Sequence, residues 1–255
     1  MRQLRTYRHW IQVQDLASFN VVVKETDLYI RASSNLESSA LKSVVKYRSM
    51  LEGYIERQPA FATSLKPISV AEDAPQIVKE MADSARRVGV GPMASVAGAI
   101  AQFVGEELSA LSPEIIIENG GDIYLTSLKG RVIGIYAGNS PLSGKIGLEV
   151  RGEETPLAIC TSSGTVGHSL SLGKADATVA IAKSATLADA AATAIGNIIY
   201  QPDDIPIGIA FAQNTKRLLG VVIIKDDKIG IWGKLKICQM GICNHSLDAG
   251  NSLYL

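Results

Sequence analysis

The sequence predicts an α+β protein, with mixed or antiparallel sheets packed against helices, either as one body or as two closely packed halves. Three observations lead there. Strand-like stretches come in pairs around turn-forming residues, which favours hairpins over parallel crossover units. Longer stretches with helical spacing of apolar residues separate those pairs. Finally, 47% of the 255 residues are apolar and only 20% are charged, enough to fill a sizeable core and to exclude wholesale disorder.

The elements follow in order. Residues 1–15, with Arg2, Arg5, Arg8 and His9, read as a basic solvated arm. Asn20–Val23 and Leu28–Ile30 flank Glu25-Thr26-Asp27 and form a hairpin. Across residues 35–57 Leu36, Leu41, Val44, Val45, Met50, Leu51 and Ile55 fall at helical spacing among charges, and Pro59 ends that helix. Residues 60–73 read as loop. A helix starts at Pro75 and stops at Gly89-Val90-Gly91-Pro92. The next runs from about Met93 to Ala110, small and apolar nearly all round, hence buried. Glu114–Glu118 and Ile123–Leu125 flank Asn119-Gly120-Gly121-Asp122 as a second hairpin. Strands are expected at 131–136, 146–151, 157–161 and 177–182, then a helix at 186–199. Further strands are expected at 207–212 and 218–224, the latter turning at Asp226-Asp227 into Ile229–Trp232. No interdomain linker is visible. The organisation is an arm (1–15), one domain (16–237) and a C-terminal tail (238–255).

Composition excludes several functions. Lys+Arg and Asp+Glu both total 25, so the basic excess of a general nucleic-acid binder is missing. Three cysteines, Cys160, Cys238 and Cys243, are too few for a disulfide framework and point to a reducing compartment. The basic N-terminus is not followed by an apolar run, so no signal peptide is expected. No stretch approaches the roughly 18–20 apolar residues of a membrane helix. The expectation is a soluble, cytoplasmic chain.

Five segments are candidates for chemistry. Gly89–Ala94 stands at a helix N-terminus, where free N–H groups hold anions; the local sequence alone favours a glycine cap with a proline-assisted restart. Asn119-Gly120-Gly121-Asp122 is either a ligand-contacting hairpin tip or a type I′ turn. Cys160-Thr161-Ser162-Ser163-Gly164 through His168 is a hydroxyl-rich loop of the kind that binds phosphate. His168 is a general base or ligand contact there, or simply a loop histidine. Asp189 and Thr193 are four apart, on one face of an alanine helix, and can offer two hard oxygens to Mg²⁺. Alternatively Asp189 only complements the helix dipole. Cys238 and Cys243, with His245 nearby, lack the second ligand pair that zinc requires and read as part of the tail.

Together, Glu25–Leu28, Val90–Ala101, Glu118–Asp122, Cys160–Ser169 and Ala188–Thr193 resemble the ApbE-like superfamily, in its short cytoplasmic branch of uncharacterised proteins. The resemblance covers roughly residues 20–235. It implies an α+β fold with FAD or FMN in a central cleft and Mg²⁺-dependent transfer of FMN to a threonine hydroxyl of a target protein. It implies Asp189, Thr193 and the backbone carbonyl of Ala94 as metal ligands. Gly91, Met93, Asn119, Gly120, Gly121, Asp122, Thr161, Ser162, Ser163 and Gly164 would line the nucleotide. His168 and Cys160 are the candidates for catalysis. Two departures are visible. Ser95-Val96 stands where the transferases carry Lys-Gly, and about two dozen residues separate Gly164 from Asp189, where the transferases have a longer segment with a His-Ile…Pro…Thr-Gly signature. The expected function is therefore a flavin nucleotide-binding protein with metal-assisted phosphoester or flavin transfer. Two alternatives stay open. One is an accessory role in anaerobic sulfide assimilation toward homocysteine, to which the branch is linked. The other is a non-catalytic flavin-binding or scaffold module. A nucleotide ligand and a possible protein partner are implied; substrate, acceptor and oligomeric state are not.

Overall fold

The computed structural model describes residues 15–166, 171–240 and the backbone of 252–254. An eight-stranded antiparallel sheet runs in the order β1-β2-β3-β4-β7-β8-β9-β10. Its strands are β1 (Ala17–Val23), β2 (Thr26–Ala32), β3 (Ile115–Asn119), β4 (Asp122–Thr126), β7 (Leu157–Ser162), β8 (Ala177–Ala182), β9 (Leu218–Lys225) and β10 (Lys228–Gly233). The chain passes to a second sheet twice, after β4 and after β10. β5 (Arg131–Gly134) and β6 (Ile146–Val150) are the middle of a second, four-stranded sheet, β11-β6-β5-β12. Its flanks are β11 (Lys236–Gln239) and β12 (Ser252–Tyr254), the latter parallel to β5. Cys238 therefore lies within a strand, opposite Gly147.

The period-two pattern of the strands explains the layering. Ile117, Tyr124, Cys160 and Ala180 point to one face, into a core shared with the helices. Ile116, Ile123, Ile159 and Ile181 point to the other, into a core shared with the small sheet. On the helical face, α1 (Glu37–Arg57) covers β1, α4 (Val96–Leu108) covers β3 and β4, α5 (Ala185–Gly196) covers β7 and β8, and α6 (Ile205–Asn214) covers β9 and β10. α3 (Gln76–Val88) packs on α5 from outside. Among the described residues no single helix is long and apolar enough to cross a membrane.

Both predicted hairpins, the long first helix, the alanine-rich helix and most strands stand as expected. Two readings are corrected. Residues 60–73 are not all loop: α2 (Ala60–Thr63) is a single helical turn that buries Phe61. Residues 207–212 are not a strand but the body of α6. Ile205, Gly208 and Ala212 are buried at intervals of three and four, which is helical spacing, and Pro206 occupies the first turn, where its missing N–H is harmless.

Candidate functional site

The site is built by close approach of helices to the sheet. α3 ends at Gly89, left-handed at φ +79, whose N–H donates to the Ala85 carbonyl; the capping reading of this glycine is the correct one. A 3-10 turn, Pro92–Ser95, then leads into α4. Gly91 is needed for contact with the segment before it: a Cβ there would lie 1.8 Å from the Ser64 carbonyl oxygen. Met93 and Ala94 are half-buried, the former against the main core, and the turn packs on α5. Ser95 is fully buried, and its hydroxyl donates to the Pro92 carbonyl at 2.8 Å, so it is consumed by the turn.

α4 meets α5 at Gly98. A Cβ there would lie 2.4 Å from the Ala185 carbonyl oxygen and 2.9 Å from the Asp189 Cβ. This contact lets the Gly98 N–H donate to Asp189 Oδ2 at 2.9 Å. On the other side of α4, the Asn119 amide donates to the Ala97 carbonyl at 3.0 Å and ties the hairpin tip to the same turn. Gln102 Oε1 accepts the Ala185 N–H at 2.7 Å, capping α5 with a side chain of α4.

The hairpin tip is a two-glycine turn, Gly120 and Gly121 both at positive φ (70 and 106), closed by the Asn119–Asp122 pair. Asn119, Gly121 and Asp122 are buried in this turn, and the Gly121 N–H is taken by Glu118 Oε1 at 2.9 Å. Asp122 points to the helical face, where its Oδ1 accepts the Thr161 N–H at 3.2 Å.

Asp122, Asp189 and the Cys160 thiol thus share one buried pocket of the core. Burial drives all three toward their neutral forms. It pushes Asp189 up to about 7, against the pull of the Gly98 and Ala97 amides. Asp122 is raised well above an ordinary carboxylate by burial and then by the charge of Asp189, opposed by the Cys160 thiol and the Thr161 amide. Burial and the two carboxylates raise Cys160 in turn. Among the described residues neither aspartate has an ion-pair partner. Nor is there a cluster of three His, Cys, Asp or Glu side chains able to hold a metal.

Asp189 and Thr193 share a face of α5, Thr193 half-buried, and Gly196 continues that face one turn on. A Cβ at Gly196 would meet the Thr178 hydroxyl at 3.4 Å and the Ser162 hydroxyl at 3.6 Å. Thr178, directly opposite Ser162 in the β7–β8 ladder, drew no notice in the sequence because ATVAIA reads as an ordinary strand. Its hydroxyl and that of Thr161 are buried without a hydrogen-bond partner. The Ser163 and Gly164 segment folds on itself. Ser163 Oγ accepts the N–H groups of Thr165 and Val166, and the Gly164 N–H donates to Ala175. His168, Cys243, His245 and the arm over residues 1–14 lie outside the described residues.

An antiparallel sheet sandwiched between helices and a smaller sheet is a fold found in solved flavin transferases. The structure is similar to the flavinyl transferase ApbE of Pseudomonas stutzeri in its apo form, with TM-score 0.56 and 13% identity, covering 92% of this chain and 97% of that one. It is similar also to a variant of the flavin transferase ApbE of Vibrio cholerae, with TM-score 0.54 and 14% identity over 85% and 96%. At these identities the likeness shows the fold. The chain belongs to the ApbE-like family whose model is described as "AbpE bacteria", which matches residues 8–218. In sequence it is 42% identical to a UPF0280 protein of Methanocaldococcus jannaschii, over 84% of this chain and 90% of that one. It is 44% identical to a UPF0280 protein of Methanopyrus kandleri, over 85% and 90%.

Proposed function

We propose that the chain binds the phosphate of a flavin nucleotide, FAD or FMN, beside Asp189 and Thr193, with Mg²⁺ as the counter-cation. The observation that carries this reading is the carboxylate pair: two buried aspartates with no cation beside them among the described residues, in a fold shared with flavin transferases. Such a pair is tolerated only if protonated or neutralised. The donor set fits a hard divalent ion: Asp189, the Thr193 hydroxyl and the Ala94 carbonyl are all oxygens, and the orphaned Thr178 hydroxyl adds unsatisfied polarity on the same face of the sheet. Bound Mg²⁺ supplies Lewis acidity to a phosphoryl oxygen. The chain's own groups orient and hold protons. The Gly98 amide fixes the Asp189 carboxylate, and the Thr161 amide fixes Asp122. Asp122, its acidity weakened by burial and by the charge of Asp189, lies beside it.

Ser95, occupied by its own turn, offers no cation to the phosphates, so the reading places binding first and FMN transfer second. Cys160 lends no support to a sulfur-carrier role, since a fully buried, protonated thiol is neither accessible nor nucleophilic. The test is quenching of FAD fluorescence with and without Mg²⁺, for the parent and Asp189→Asn, followed by mass spectrometry of a threonine peptide incubated with FAD. Mg²⁺-dependent quenching lost in the variant supports the site, and an FMN mass on the peptide supports transfer. Absence of quenching in the parent overturns both.

A further inference from the structure

A cavity lies well away from the carboxylates. A cleft of about 670 Å³ opens on the opposite face of the large sheet, between it and the β6–β11 edge of the small one. Protein interiors tolerate few voids larger than a water molecule, and ligand cavities span roughly 300–1,000 Å³. Its floor is aliphatic: Leu148, Leu157, Ile159 and Ile181, each nearly inaccessible from outside. The register places it away from the polar site along the strands as well. Leu157 begins β7 and Ile181 lies near the end of β8, whereas Thr161, Ser162 and Thr178 occupy the other ends. Gly233, at φ +106, swings the chain from β10 toward β11, and the residues after it wall the mouth.

The charge at the mouth is unbalanced. Lys236 is paired with Glu149, and Glu154 with Arg151. Lys183 donates to the carbonyls of Glu154 and Pro156 at 2.6 and 3.2 Å, and its charge also acts on the Glu154 carboxylate. Lys234 has no ion pair among the described residues. Trp232, at the end of β10, also lines the cleft, while its side chain packs against the helical core. An aliphatic chamber whose mouth sets three ammonium groups against two carboxylates is complementary to an aliphatic body carrying one anionic head.

We propose that this cleft is a second ligand site, independent of the flavin reading, that takes a linear aliphatic carboxylate with its chain among Leu148, Ile159 and Ile181 and its head at Lys234 and Lys183. Trp232 is the natural reporter once the other tryptophan is removed by Trp10→Phe. In that background, dodecanoate below its micellar concentration is titrated against Trp232 emission, with dodecyltrimethylammonium as the chain-matched cation. Saturable one-to-one binding of dodecanoate is expected, weakened about tenfold or more in Lys234→Glu and in Leu219→Glu. Both positions are at the surface, Leu219 being 41% exposed, so the fold is preserved and circular dichroism checks it. No saturable change, an equal response to the cationic amphiphile, or indifference to both substitutions overturns the proposal. Sedimentation with phosphatidylglycerol vesicles separates a free carboxylate from a bilayer: protein left in the supernatant supports the former, and co-sedimentation overturns it in favour of a membrane surface.

Discussion

Asp189 and Gly98, 91 positions apart, are joined by a 2.9 Å hydrogen bond from the glycine amide to the carboxylate, at a point where no side chain fits between α4 and α5. The proposed metal ligand is thus aimed by backbone. Gly98→Ala forces the helices apart against a backbone oxygen. It is expected to destabilise the protein by about 1–3 kcal/mol, the usual range for overpacking a core. Mg²⁺-dependent FAD quenching should weaken as well. Urea denaturation and the quenching titration measure the two effects.

Asp189→Asn removes one charge from the buried pair and keeps its volume. With chelator present at pH 8 the variant should melt higher than the parent, at roughly 2–4 °C per kcal/mol gained for a chain of this size. It should also lose Mg²⁺-dependent nucleotide binding. A lower melting temperature in the variant would show that the ionised pair is stabilising and that the account of the site is wrong.

The pH dependence of the metal-free protein follows from the same pair. An acid whose pKa is raised on folding contributes stability that is present below its unfolded value, 3.8, and lost as pH rises through the folded value, about 7 for Asp189. Chelator-treated protein should therefore melt progressively lower between pH 5 and pH 8. Mg²⁺ with FAD should flatten that slope. Differential scanning calorimetry across the range checks both.

Arg131 is fully buried and joins two acids, Asp15 through Nη1 at 3.0 Å and Glu114 through Nη2 at 2.5 Å. Burial of Asp15 opposes its ionisation, yet hydrogen bonds from Arg131 and Lys129 prevail and hold it at about 2. Arg131→Ala strands Glu114 in the interior and should cost about 3–5 kcal/mol. Arg131→Met together with Glu114→Gln should recover part of the loss. A double-mutant cycle by denaturation reads the coupling.

Much of this was legible in the residues themselves. Two-residue periodicity announced the strands, Asn119–Asp122 the central hairpin, and Ala188–Thr193 the helix that carries Asp189. What escaped is informative. Ile207-Gly208-Ile209 alternates like a strand, and only Pro206 after two aspartates signals the helix that forms. Cys160 sits beside a polar loop in sequence, yet the strand's alternation turns it into the core while Thr161 faces the other way. The meeting of Asp122 with Asp189 depends on which strands are neighbours and on two glycine contacts. Those are tertiary facts that no local pattern encodes.

The four-stranded sheet carries a consequence for the order in which the molecule is completed. Its two inner strands lie at residues 131–150, but both flanking strands come from residues 236–254. On a ribosome, β5 and β6 would emerge some hundred residues before their neighbours. Until then the hairpin edges and the apolar face beneath them stand open to solvent and to other chains. The nascent protein is therefore most exposed to misassociation in this layer, and ribosome-bound chains arrested before residue 236 should bind chaperones there that chains released past residue 254 do not.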